Sequence, residues 1–257
     1  MGLSCDYLVM TVTDSETAEL FAELSDRYSR TPVPVSGGRL AYSDLGRFGK
    51  VYPSSVYHVR SKMGSDTPGG SAITAYSALT ELRPQRIIMV GIAFGVDEHR
   101  QKMGSVLVSE TIKPYDLKRI GTRVKNGRRL RTVEFRSGET PCTHNLVLLF
   151  KAVRKARQDV GNYDPPITFG PILSGQTLVD NKAFRDRLRT QLGYAIGGEM
   201  EGAGFWAAAH SCPTGWVIVK AICDWADGNK GVDEDARQAQ AARNASRLLF
   251  DALDTLN

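Results

Sequence analysis

Glu199, Glu201 and Asp224 are spaced for work on a sugar. Glu199 and Glu201 flank Met200 within Gly197-Gly-Glu-Met-Glu-Gly-Ala-Gly204, at the mouth of a small-residue helix expected to run to about His210. The glycines there let a ligand approach the backbone closely. Further on, the apolar run Val217-Ile-Val-Lys-Ala-Ile-Cys ends in Asp224. It reads as a buried strand that delivers a carboxyl at its C-terminal end, where open α/β sheets bind ligands. Such a pair of sites can hold a sugar and protonate a leaving group. Acids at a helix N-terminus also stabilise the helix itself, and a strand-end Asp caps loops. The two features together, in this order, favour chemistry.

The elements that must position these acids alternate. Strands are expected over 7–12, 56–60, 86–91, 105–109, 168–173 and 217–224. Helices are expected over 14–24, 72–82, 144–158, 182–192, 203–210 and 233–256. The first helix opens at a capping residue, Asp14. Arg86 to Gly91 is a near-continuous apolar run of the parallel-sheet type. Gly37 to Tyr52 carries turn signals and aromatics and is expected to form a hairpin. The alternation predicts an α/β fold: a single-domain, three-layer α/β/α arrangement with a central, mostly parallel mixed sheet flanked by helices. No linker or repeat divides the chain, so residues 1–257 are read as one domain, which can also serve as a module of a longer protein.

Composition narrows the function classes. A chain of 257 residues, 42% hydrophobic and 24% charged, suits one globular domain with a sizeable core. No apolar run approaches the ~20 residues of a membrane helix, and the N-terminus lacks a basic leader region. A cytoplasmic location without a membrane partner is expected. Cys5, Cys142, Cys212 and Cys223 are scattered, and the four histidines show no ligand spacing. Neither a disulfide framework nor a metal site follows from that pattern, and no cofactor is expected. The net charge of +5 is concentrated between Lys118 and Arg136, where eight basic residues face the single acid Glu134. This basic hairpin is either a solvated face or a site for phosphates. No nucleic-acid motif accompanies it, so small phosphates are favoured over nucleic acid.

Four segments together carry a resemblance: Val90-Gly-Ile-Ala-Phe-Gly95, Ser174-Gly-Gln-Thr-Leu-Val179, Gly198-Glu-Met-Glu-Gly202 and Lys220-Ala-Ile-Cys-Asp224. The chain resembles the purine nucleoside phosphorylase and methylthioadenosine/S-adenosylhomocysteine nucleosidase superfamily over most of its length. Cleaving an N-glycosidic bond requires an acid at the purine, a grip on the ribose and a nucleophile at the anomeric carbon. The resemblance implies that Asp224 is the acid, and it is expected to sit buried among Ile222, Trp225 and Ala226. It implies that Glu201 takes the ribose hydroxyls, that Met200 packs under the sugar, and, more loosely, that Glu199 reaches the purine pocket. It places Glu16 as the group that activates water, although Asp14 and Glu16 are also ordinary acids for a first helical turn. Thr177, Leu178 and Val179 would line the base pocket, with Leu178 where relatives often stack an aromatic ring. Ala93, Phe94 and Gly95 would complete it, and Lys220 replaces a common arginine. Positions where hexameric phosphorylases ligate phosphate are here Met89 and Ile92, which favours water as the nucleophile. Relatives complete the ribose 5′ end across an interface, which implies a homo-oligomer, at least a dimer.

At that 5′ end the relatives are apolar, whereas this chain is basic and glycine-rich. Ser65, Gly70 and Ser71 in the turn from Gly64 to Ser71, with Lys113, Lys118 and Arg119, are the candidates for a 5′-phosphate. The chain is particularly similar to nucleosidase-like effector modules of bacterial anti-phage systems, in Met63-Gly-Ser, Met89-Val-Gly-Ile-Ala-Phe-Gly-Val96 and Pro114-Tyr-Asp-Leu117. That similarity implies cleavage of a purine nucleotide, ATP or dATP, to adenine and a sugar 5-triphosphate, with a defence-system activator as partner. Two other functions fit the same residues: a housekeeping nucleosidase or phosphorylase on unphosphorylated nucleosides, and a catalytically idle nucleotide-sensing module.

Overall fold

A computed structural model of the chain describes residues 3–136, 138–162, 164–229, 231 and 233–256. The strands are β1 (Tyr7–Thr11), β2 (Val33–Val35), β3 (Tyr42–Phe48), β4 (Ser54–Arg60), β5 (Arg86–Gly95), β6 (Val106–Pro114), β7 (Lys118–Lys125), β8 (Arg128–Phe135), β9 (Thr140–Pro141), β10 (Ile167–Ser174), β11 (Gly197–Glu199) and β12 (Gly215–Asp224). The helices are α1 (Asp14–Tyr28), α2 (Ser71–Leu82), α3 (His144–Asp159), α4 (Lys182–Leu192), α5 (Gly202–Ser211) and α6 (Glu234–Asp254). None of the described helices is long and apolar enough to cross a membrane.

Ten strands form one sheet in the order β11-β10-β6-β12-β5-β1-β4-β3-β2, with β9 on β6. Its centre, β4-β1-β5-β12, is parallel throughout. Apolar runs there bury both faces, and Leu8, Val9, Ile87, Ile88, Val217, Ile218 and Val219 are fully enclosed, as a sheet covered on both sides requires. Helices pack on it in two groups, α6 with α1 and α3, and α2 with α5. The fold is α/β with a mixed sheet, as expected.

Two details depart from the sequence expectation. The segment from Gly37 to Tyr52 is not a self-contained hairpin. It supplies one strand, β3, which pairs β2 on one side and β4 on the other. The sheet is also less parallel than expected towards its second edge, where β12 runs antiparallel to β6. There β11 pairs β10 in parallel and β5 antiparallel, so β5, β12, β6, β10 and β11 close into a ring. Glycine permits that closure. A Cβ on Gly197 would lie 2.7 Å from the Phe94 carbonyl oxygen, and one on Gly198 only 2.2 Å from the Phe94 ring. The ring sets the Glu199–Glu201 segment beside the C-terminal ends of β5 and β12. The basic stretch forms a separate two-stranded ribbon, β7-β8, exposed along nearly its whole length.

Candidate active site

The cleft at these strand ends has a volume of about 780 Å³, its open mouth included, which is ample for a nucleoside. Glu16, Glu199, Met200, Glu201 and Asp224 all line it, with Ala93, Phe94, Thr177, Leu178 and Val179. Of the residues expected around the base and ribose, Gly95 and Lys220 do not reach the lining. Gly95 lies against the Trp225 ring, and Lys220 lies underneath the cleft.

Lys220 organises the floor. It projects from the middle of β12 and is 1% exposed. Its Nζ lies 3.6 Å from Glu16 Oε1 and 3.7 Å from Glu201 Oε2. Burial alone would push this ammonium down, but Glu16, Glu201 and Glu199 outweigh it and hold its pKa above the ordinary lysine value. Three carboxylates around one ammonium leave an excess of negative charge. Burial, reinforced by Glu199 and Glu16 and opposed by Lys220 and the Gly64 N–H, raises Glu201 from 4.5 to about 7. Such perturbed pairs in a cleft mark functional sites.

Glu16 is a helix-start acid and a cleft residue at once. The residue that caps α1 is Thr13, not Asp14 as expected, and Glu16, the third residue of α1, completes a capping box with it. Its Oε2 accepts the N–H groups of Val12 (2.7 Å) and Thr13 (3.0 Å). Its Oε1 accepts the Ile92 N–H at 2.8 Å. Gly91 is what lets the carboxylate in, because a Cβ there would lie 2.0 Å from Glu16 Oε1. Gly91→Ala is therefore expected to lower stability by about 1–3 kcal/mol through overpacking and to displace the carboxylate. Chemical denaturation checks the first effect, and an unchanged midpoint would contradict this close approach.

The start of α5 holds Glu201 in place. Glu199 accepts the N–H groups of Glu201 (2.9 Å) and Gly202 (2.8 Å) at Oε2. Ser174 Oγ accepts the Ala203 N–H at 2.8 Å, and Ser65 Oγ accepts the Gly204 N–H at 3.1 Å. The orphan donors of the first helical turn are thus satisfied by protein. Glu201 Oε1 accepts the Gly64 N–H at 3.0 Å. Both carboxylates are buried, and Glu199 reaches the cleft mainly as the group that caps α5.

Asp224 is half-buried at the end of β12, not enclosed as expected, because one side faces the open cleft. Its Oδ1 accepts the Ala226 N–H at 2.8 Å, and the Cys223 thiol lies 3.3 Å from Oδ2. Across the cleft, Tyr115 carries the loop with Thr177 and Leu178. Its buried hydroxyl donates to the carbonyls of Gly175 (3.2 Å) and Thr177 (3.0 Å). Asp116 Oδ2 accepts the Gln176 N–H at 2.8 Å. Tyr115 and Asp116 therefore shape the wall of the cleft that Thr177 and Leu178 form.

The candidates for a 5′-phosphate are not brought to the lining. Ser71 Oγ donates to the Glu201 carbonyl at 2.6 Å, and Ser65 Oγ donates to the Met200 and Glu201 carbonyls at 3.2 and 3.3 Å. Their backbone surroundings are likewise used: the N–H groups of Gly70 and Ser71 donate to the Thr67 and Gly64 carbonyls. The turn that looked like a phosphate cradle is a clamp on the Glu201 turn. Lys113 Nζ is turned to the Leu192 carbonyl (3.0 Å) and Glu139 (3.3 Å). Lys118 and Arg119 begin the exposed ribbon β7-β8. Among the described residues the lining carries five acids, with Glu234 as the fifth, and no lysine or arginine. Sequence reasoning missed Val12, Thr13, Met63, Glu234 and Gln238 in the lining. Glu234 and Gln238 come from the start of α6, and Gln238 Nε2 donates to Glu234 Oε1 at 2.9 Å. Their polar, helical surroundings carry no local signal of a cleft.

Comparison with known proteins gives one family. The model of the phosphorylase superfamily matches residues 7–254. A death domain-containing ATP nucleosidase from Amphimedon queenslandica is 28% identical over 240 residues, 87% of this chain and 44% of that protein. ATP nucleosidase Cap17 from Escherichia coli is 26% identical over 201 residues, 71% of this chain and 38% of that protein. The chain thus spans less than half the length of either relative. Among solved structures, S-adenosylhomocysteine nucleosidase from Streptococcus pyogenes, in complex with 5-methylthiotubericidin, superposes with a TM-score of 0.75 at 23% identity, covering 98% of this chain and 97% of that one. Futalosine hydrolase of Helicobacter pylori superposes with a TM-score of 0.74 at 18% identity, covering 96% and 97%. These structural likenesses concern the fold.

Proposed function

The chain belongs to the phosphorylase superfamily, and from that premise we propose that it hydrolyses the N-glycosidic bond of a purine nucleotide. The observation that carries the reading is the Lys220 ammonium held between Glu16 and Glu201, beneath a cleft that ends at Asp224. In this reading Asp224 gives a proton to the departing purine. Glu201, ionised, accepts hydrogen bonds from the ribose hydroxyls. Glu16 takes a proton from the attacking water, and the Lys220 ammonium lies between the two carboxylates. Leu178 and Phe94 cover the base, and Met200 packs under the sugar.

ATP as substrate is supported by the two relatives named ATP nucleosidases, and dATP rests on the sequence resemblance alone. A role in defence under an activator rests on the sequence resemblance and belongs to the same proposal. With no lysine or arginine in the described lining, the triphosphate must meet cations from elsewhere. The exposed basic ribbon β7-β8 of a second copy is a suitable source. The same acidic lining favours one competing reading, an unphosphorylated purine nucleoside as substrate.

The test is purified protein given ATP, dATP, adenosine and methylthioadenosine in turn, with free base measured by chromatography. ATP or dATP is expected to show the highest kcat/KM, with adenine and an intact sugar triphosphate as products. Preference for adenosine or methylthioadenosine would transfer the activity to unphosphorylated nucleosides. Absence of base from all four would leave a binding module.

A further inference from the structure

We infer that Arg185 is a positioning residue that holds the turn presenting Asp224. The inference rests on the reading of Asp224 as the acid at the purine. Arg185 projects from α4, outside the lining of the cleft, and its side chain is 5% exposed. Its Nη1 donates to the Trp225 carbonyl at 2.5 Å and to Glu98 Oε1 at 3.2 Å. Its Nε and Nη2 reach Asp186 Oδ1 at 3.1 and 3.0 Å. Trp225 follows β12 and Glu98 follows β5, so one guanidinium ties together the exits of the two central strands.

The turn it holds is strained. Ala226 has φ of +51° and is fully buried. A residue with a Cβ occupies that left-handed region only where its surroundings over-determine it. Three constraints do so here. The Ala226 N–H donates to Asp224 Oδ1 at 2.8 Å. The Trp225 ring lies so close over Gly95 that a Cβ there would come within 2.4 Å of it. The third constraint is the Arg185 bond to the Trp225 carbonyl. Neighbouring bonds extend the clamp: Arg189 donates to the Val96 carbonyl and to Asp97, each at 3.0 Å, and Asp180 accepts the Gly228 N–H at 3.0 Å.

Without the guanidinium the peptide between Trp225 and Ala226 is released to leave the left-handed region, and the Asp224 carboxyl turns with it. A displacement of about 1 Å at a reacting group costs up to about 10²-fold in rate. Lysine keeps the charge at this site but not the fork that reaches a carbonyl and two carboxylates together.

The experiment compares Arg185→Lys, Arg185→Met, Asp224→Asn and the double variant Arg185→Lys/Asp224→Asn on whichever adenine substrate the wild-type protein cleaves best. Each Arg185 variant is expected to lower kcat by about 10–100-fold while KM stays within about twofold, because ribose binding through Glu201 is untouched. The double variant is expected to be no slower than Asp224→Asn alone, since the clamp acts only through that carboxyl. Should Arg185→Met fail to fold, Arg185→Lys carries the same comparison. Losses that multiply in the double variant, losses confined to KM, or full kcat in Arg185→Lys would each overturn the inference. Full activity in Asp224→Asn would instead remove the reading on which it rests.

Discussion

Asp224→Asn is expected to lower the rate of purine release by about 10²- to 10⁴-fold, the usual contribution of a positioned general acid. Asparagine is nearly isosteric. It keeps the oxygen that accepts the Ala226 N–H at 2.8 Å, so the turn after β12 should persist. What it lacks is a proton to give. The carboxyl stands at the edge of the cleft beside Cys223, Ala93 and Phe94, where a purine covered by Leu178 would bring its imidazole edge. Single-turnover release of free base, measured beside the thermal midpoint, separates chemistry from folding. Full activity in a folded Asp224→Asn protein would remove Asp224 from the chemistry.

Glu201→Gln is expected to lose activity and to gain stability. A glutamine amide presents one acceptor oxygen where the carboxylate presents two, so the grip on two ribose hydroxyls is halved. A loss of about 10²-fold in kcat/KM corresponds to one or two charge-assisted hydrogen bonds. The stability change follows from linkage. Glu201 titrates at about 7 in the fold against its ordinary 4.5. Between those values the folded protein holds a proton that the unfolded chain has lost, so wild-type stability falls as pH rises from about 4.5 to about 7. The deficit above pH 7 is on the order of 3 kcal/mol. Glutamine cannot ionise, so the variant should escape that fall. Its denaturation midpoint should match the wild type near pH 4.5 and exceed it increasingly towards pH 8. Wild-type activity should rise as pH climbs through about 7, where the carboxylate forms. A wild-type stability that is flat between pH 5 and 8 would contradict a Glu201 carboxyl whose burial outweighs its partners.

Parts of this arrangement were legible because they are local. The apolar runs of β5 and β12 announce buried strands whose ends face a ligand, whereas Lys220, expected among the substrate-binding residues, lies beneath the cleft. Glu16 was legible as a helix-start acid because a capping box is a short-range device, and it keeps that role in the fold. The distribution of hydrogen bonds was not legible. Ser65, Ser71 and the Gly64–Ser71 turn read as a phosphate cradle from their types, yet those two hydroxyls and the Gly70 and Ser71 N–H groups are used on Met200, Glu201 and the turn itself. Only the distant start of α5 could reveal that use. Gln238 and Glu234 enter the cleft because α6 packs against β12 and β5, a placement that no pattern within α6 encodes. Nothing within the α4 sequence marks Arg185, whose burial depends on where β5 and β12 end.

The most direct measurement is the fate of the sugar when purified protein cleaves its best adenine substrate in phosphate-free buffer made with ¹⁸O-labelled water. The floor of Glu16, Lys220 and Glu201 predicts free adenine and a sugar carrying the label at its anomeric carbon, with no change in rate when phosphate is added. Release that depends on phosphate and yields a sugar 1-phosphate would contradict water as the nucleophile, and no release of base would contradict the assignment of this cleft as a glycosidic active site.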